Sequence, residues 1–95
     1  MSYIENTCKL IRGKSYKKAA DTIASYTFEE RFLRLNSHKR TSVVQSITKR
    51  LETIHRKLRR ERYPSRMTED HRMELAWETY HELVNGPFMG SLTTP

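Results

Sequence analysis

Residues 39–62 read KRTSVVQSITKRLETIHRKLRRER, a run without a single glycine or proline. Apolar side chains fall at Val44, Ile47, Leu51, Ile54 and Leu58, in steps of 3, 4, 3 and 4. An α-helix turns once in about 3.6 residues, so these five line one narrow stripe, the a and d positions of a heptad. Around them Lys39, Arg40, Lys49, Arg50, Arg56, Lys57, Arg59, Arg60 and Arg62 meet only Glu52 and Glu61. A long helix over about residues 39–63 thus offers an apolar seam to protein and a cationic face to something negative. The seam reads as core, and a homodimer paired through it is the other arrangement it allows. A heptad pattern this short does not by itself argue for a coiled coil.

With 95 residues the chain has the size of one domain with a limited core. Three glycines and three prolines are few for an all-β protein, whose turns need them. The expectation is therefore an all-α fold, a small bundle of four to five helices organised around the long basic amphipathic helix. It would occupy residues 1–87, with 88–95 as a C-terminal tail. The net charge of +7 favours polyanions or acidic protein surfaces as partners. That charge is unevenly spread. Residues 39–66 hold ten Lys or Arg against two acids, whereas residues 67–95 hold Arg72 against Glu69, Asp70, Glu74, Glu78 and Glu82.

Cys8 is the single cysteine and has no partner for an internal disulfide. The start MSYIENTCK lacks the hydrophobic run of a signal peptide, and no segment approaches the roughly 18 apolar residues of a membrane span. A cytoplasmic protein without membrane contact is the expectation.

Taken in order, Tyr3–Arg12 forms a first helix, with Ile4, Cys8 and Ile11 on one face and Gly13 as its C-cap. Ser15 caps a second, YKKAADTIASY, whose inner side carries Tyr16, Ala19, Ala20 and Ile23. Thr27 opens a third with Glu30 as a capping box, and Phe28, Phe32, Leu33 and Leu35 supply bulk to the core. Ser37 or Thr41 caps the long helix, which stops at Tyr63-Pro64. Thr68 caps a fifth, with Glu69 and Asp70 in its first turn. Its apolar face reads Met73, Ala76, Trp77, Tyr80, Leu83 and Val84, and Trp77 is expected to be buried against the long helix.

No catalytic constellation stands out, and the chain does not read as an enzyme. His38, His55, His71 and His81 have no metal-ligand spacing with Cys8, and glycine-rich phosphate loops are absent. Glu78 and Glu82 lie one turn apart, which is the pattern of a solvated face. Cys8 has nothing nearby to activate a thiolate and reads as a small core residue. No cofactor or metal is called for.

The pattern that points to function is the basic helix. Cations at turn intervals can lie against phosphates, releasing counterions. At its start Lys39, Arg40, Thr41, Ser42, Gln45 and Ser46 mix cations with side chains able to hydrogen-bond base edges, as at the front of a recognition helix. Further along, Lys49, Arg50, Arg56, Arg59 and Arg60 extend the charged surface. The stretch GKSYKKAADTIA (13–24) resembles the first helix of the helix-turn-helix in response-regulator output domains. The resemblance covers those residues only, since such motifs turn within about four residues and here TFEERFLRLNSH intervenes. The reading is a small basic nucleic-acid-binding regulatory protein, for DNA ahead of RNA. The alternative is a phage- or plasmid-type accessory protein that binds and modulates a host protein such as a nuclease or polymerase.

Overall fold

Each helix boundary has a local cause. In the computed structural model, which describes residues 2–92, α1 spans Tyr3–Arg12 behind Ser2, whose hydroxyl accepts from the Glu5 N–H at 3.2 Å. The chain then turns through a Schellman closure, with Lys14 N–H donating to the Ile11 carbonyl at 2.9 Å and Ser15 N–H to Leu10 at 2.8 Å. The residue in the left-handed region is Lys14 (φ 62°), not Gly13 (φ −82°). Ser15 precedes α2 (Tyr16–Phe28), but its side chain makes no capping bond.

The capping box at Thr27 does not form. Helix α2 runs through Thr27, which lets Phe28 reach the core, and breaks at Glu29, where φ is 49°. The short α3 (Glu30–Arg34) then buries Phe32, while Leu35 is half-buried and Leu33 is exposed. Asn36, rather than Ser37 or Thr41, caps α4 (Ser37–Arg62), accepting from Lys39 N–H at 2.8 Å. Before Pro64 the chain becomes extended at Tyr63, as the steric clash ahead of proline demands.

Thr68 caps α5 (Glu69–Asn85) in a reciprocal pair with His71, each accepting the other's backbone N–H. The C-terminal stretch begins as a helical turn, α6 (Phe88–Ser91), which tucks Met89 into the core. Residues 93–95 of the expected tail lie outside the described residues.

Among the described residues the fold is all-α, with six helices and no strand. The four longest make a ring of neighbours: α1 packs on α2 and α5, and α4 packs on the same two. Helix α3 attaches to α2, and α6 to α5. The molecule measures 42 × 27 × 20 Å. At about 1.5 Å per residue, α4 runs nearly the whole long axis.

One cluster forms the core, with Ile11, Ala19, Ala20, Ile23, Ile47, Leu51 and Ala76 fully enclosed. Alanines at the α2 contacts let its backbone approach closely. Val44, Ile47, Leu51, Ile54 and Leu58 are all buried inside the single chain. A homodimer through that seam would therefore require the ring to open. On α5 the inward side chains are Leu75, Ala76, Thr79, Tyr80 and Leu83. Trp77 is 50% exposed, which corrects its assignment to the core. The buried Thr79 meets its polar need locally, donating to the Leu75 carbonyl at 2.7 Å.

Candidate nucleic-acid interface

With the seam of α4 turned inward, helical geometry fixes where its cations point. Directly opposite the core, one row carries Ser42, Lys49, Thr53, Arg56 and Arg60, all exposed. Lys39, Arg50 and Lys57 form one flank, on which the Arg50 guanidinium lies over the Phe88 ring of α6 at 5.5 Å. Thr41, Gln45 and Arg59 form the other flank, toward α2.

The candidate residues therefore divide into four groups. Lys49, Arg56 and Arg60, with Ser42, make the outer row. Arg40, Thr41 and Gln45 instead line a groove between α2 and the start of α4, opposite Lys17 and Lys18. Phe32, Leu33 and Val44 give that groove an apolar floor, and its volume is about 980 Å³. Arg59 belongs to neither, because it lines a separate small cavity with Arg12, Lys14 and Arg72. Lys39 and Arg50 stay on the far flank.

Few carboxylates reach these cations. Arg56 pairs with Glu52 one turn back at 2.5 Å and keeps its side chain largely exposed. Arg62, at the end of α4, meets Glu78 of α5 at 3.3 Å. Among the described residues no ion pair holds Lys39, Arg40, Lys49, Lys57, Arg59 or Arg60. The acids of α5 do not close over the outer row.

Where α2 crosses α4, the Tyr16 hydroxyl and His55 Nδ1 lie 2.6 Å apart. Burial pushes the proton affinity of His55 down, and nearby Lys14 and Arg59 lower it further. Burial raises Tyr16, helped by the charge of Glu52 and opposed by Arg56. Both groups are thus neutral near pH 7 and form an uncharged polar link inside a cationic surround.

The chain matches no family model, no curated protein and no solved structure. The surface itself therefore carries the functional argument. Among the described residues, no helix is long and apolar enough to cross a membrane. Residue-by-residue reading missed Lys17 and Lys18, which face α4 across the groove. It also missed the Arg12, Lys14 and Arg72 cluster, which only the packing of α1 and α5 brings to Arg59. On α5, Trp77 packs edge-on against His81 with ring centroids 4.2 Å apart, beside a cavity shared with Arg62 and Glu82.

Proposed function

We propose that the protein is a nucleic-acid-binding regulatory protein that lays the outer row of α4 against the phosphates of a DNA duplex. The observation that carries this reading is the exposed row of Lys49, Arg56 and Arg60, with carboxylates absent except for Glu52. A straight helix suits the major groove of B-DNA, about 12 Å wide, better than the deep and narrow major groove of A-form RNA. Lys39 and Arg50 on one flank, and Lys17, Lys18 and Arg40 on the other, would reach neighbouring phosphates. Ser42 and Gln45 are the side chains near the start of α4 that can hydrogen-bond base edges.

The test is the anisotropy of a labelled generic duplex, titrated between about 50 and 200 mM salt. Three phosphates neutralised by the outer row contribute about −3 to the log–log slope, and each flanking cation that reaches a phosphate adds about −0.9. An equivalent RNA duplex is expected to bind more weakly. Absence of binding to DNA and RNA at the lowest salt ends this reading.

A second reading has its own observation. Trp77 is half exposed, and the neighbouring His81 has its Nε2 buried without a hydrogen-bond partner. A large apolar side chain beside an unsatisfied polar atom favours docking on another protein, such as a host nuclease or polymerase. The same titration separates the two readings, because a protein-docking adaptor leaves the duplex free.

A further inference from the structure

At the end of the molecule where α1 finishes, five segments of the chain bring cations or donors to one point. Arg12 comes from the end of α1, Lys14 from the turn after it, His55 and Arg59 from α4, Ser65 from the connector and Arg72 from α5. Together they line a cavity of about 170 Å³. That lies well below the roughly 300–1,000 Å³ of sites that enclose a whole small molecule, and it suits one tetrahedral oxyanion.

The charge balance agrees. Among the described residues Glu69 is the one carboxylate paired to these cations, holding Arg12 and, at 3.8 Å, Arg72. Four cations against that single acid leave the cluster at +3. Lys14 and Arg59 have no ion pair among the described residues. Guanidinium forks and a hydroxyl are the donors an oxyanion takes.

Two features set the cluster apart from an ordinary basic surface. Lys14 occupies the left-handed position of the Schellman turn, where glycine is favoured, while Gly13 beside it has a φ of −82° that any residue could adopt. The order of these two residues is thus the reverse of what the backbone prefers, and it places an ammonium at the cavity. In addition, His55 is 6% exposed, and its Nδ1 is taken by the Tyr16 hydroxyl. Among the described residues no hydrogen bond reaches Nε2, the other ring nitrogen of a residue that lines the cavity.

We propose that this pocket is an oxyanion site that takes a single phosphate group, separate from the outer row of α4 and independent of it. The group can come from free inorganic phosphate or from the terminal phosphate of a nucleic-acid strand, and the experiment separates these sources. In the first arm the full chain is titrated with inorganic phosphate against chloride at matched ionic strength, and amide and His55 ring resonances are followed by NMR. Saturable shifts at Lys14, His55, Arg59 and Arg72, absent with chloride, are the expected result. Lys14→Gly keeps the backbone conformation and removes one cation, and Arg72→Gln removes another. Each should weaken phosphate binding roughly tenfold, as the loss of one charge-assisted hydrogen bond would. No shift beyond chloride at about 10 mM phosphate, where even a millimolar site is nearly filled, overturns the proposal. So does unchanged phosphate affinity in both variants.

In the second arm two single-stranded oligonucleotides of one sequence are compared, with 5′-phosphate and 5′-hydroxyl ends. Tighter binding of the phosphorylated strand, abolished by Lys14→Gly, assigns the site to strand ends. Equal binding of both strands, with inorganic phosphate still saturating the pocket, assigns it to the free anion. A long duplex with 5′-hydroxyl ends reads the α4 row alone. Loss of duplex binding with the pocket intact removes only the outer-row reading, and the converse removes only the pocket.

Discussion

Helices α4 and α5 pack side by side and share one core, yet their solvent faces are built in opposite ways. Helix α4 presents Lys49, Arg56 and Arg60 in a row with one carboxylate, Glu52, attached. Helix α5 presents Asp70, Glu74 and Glu82 together with a half-exposed Trp77. The two surfaces are joined across the contact by Arg62 and Glu78. At the start of α5, Glu69 turns to Arg12 of α1 instead of to α4. The acidic helix therefore gathers the cations at its own edges and leaves the outer row of α4 free. The difference teaches that charge neutralisation here is an edge effect, so the two faces can serve different partners.

The largest effect that would break this comparison lies in the core. Leu51 is fully buried at the middle of α4, and Leu51→Ala should cost about 2–5 kcal/mol, a large share of the stability of a domain this small. Trp77→Ala on α5 should cost within about 1 kcal/mol, because half of the ring already meets water. Urea unfolding of both variants checks this. If the tryptophan variant proves the weaker of the two, the roles assigned to the two helices are reversed.

Next in size is the charge face. Arg56→Glu combined with Arg60→Glu should weaken duplex binding at every sequence and reduce the salt slope by about two. Gln45→Ala should change sequence preference and leave the slope alone if that end of α4 reads bases. Anisotropy titrations at several salt concentrations measure both. A double reversal that leaves the slope intact would move the nucleic acid away from the outer row.

The two helices also differ in where they place titratable rings. On α4 His55 is buried, whereas His71 and His81 of α5 are half-buried. Burial lowers the folded-state pKa of His55, with Lys14 and Arg59 acting in the same direction. Its unfolded value is about 6.5, so below that pH the unfolded chain binds more protons than the folded one. Stability should therefore be complete above about pH 6.5, decline as the pH falls toward the lowered folded value, and level off beneath it. Urea midpoints against pH, with the His55 ring titrated by NMR, test the sign. A ring that titrates above the unfolded value would invert it.

How much of this was legible in the sequence differs between the same two helices. On α4 the five positions of the stripe are aliphatic, so the steps of 3 and 4 mark its centre, and Val44, Ile47, Leu51, Ile54 and Leu58 are buried as read. The buried His55 at the stripe's edge is what the spacing does not display. On α5 Thr79 occupies a core position, and its hydroxyl is satisfied by the Leu75 carbonyl, a bond that sequence does not display. With a polar residue in the buried stripe, Met73, Trp77 and Val84 form the more hydrophobic face on paper, and the phase is misread by part of a turn. The break at Glu29 is similar: Thr27 and Glu30 have capping-box spacing, but burial of Phe28 carries α2 past Thr27 and leaves Glu30 to open α3. The oxyanion pocket lay beyond reach for another reason, since Lys14, Arg59 and Arg72 meet only through the packing of three helices.

The smallest expected effect is also the most direct probe of the edge between the two faces. Glu78 is the α5 carboxylate joined to α4, and the pair with Arg62 is partly solvated on both sides. Glu78→Gln should change stability by less than about 1 kcal/mol, since an ion pair so exposed to water contributes little. It should also release Arg62 and raise duplex affinity by less than about tenfold, the value of one added phosphate contact at moderate salt. If affinity instead rises by several orders of magnitude, the carboxylates of α5 screen the whole basic face, and the wild-type chain is held in a weakly binding state. If affinity does not change, Arg62 lies outside the footprint and the nucleic acid ends at the outer row. Measured beside Arg56→Glu with Arg60→Glu, the Glu78 variant marks where the basic face stops.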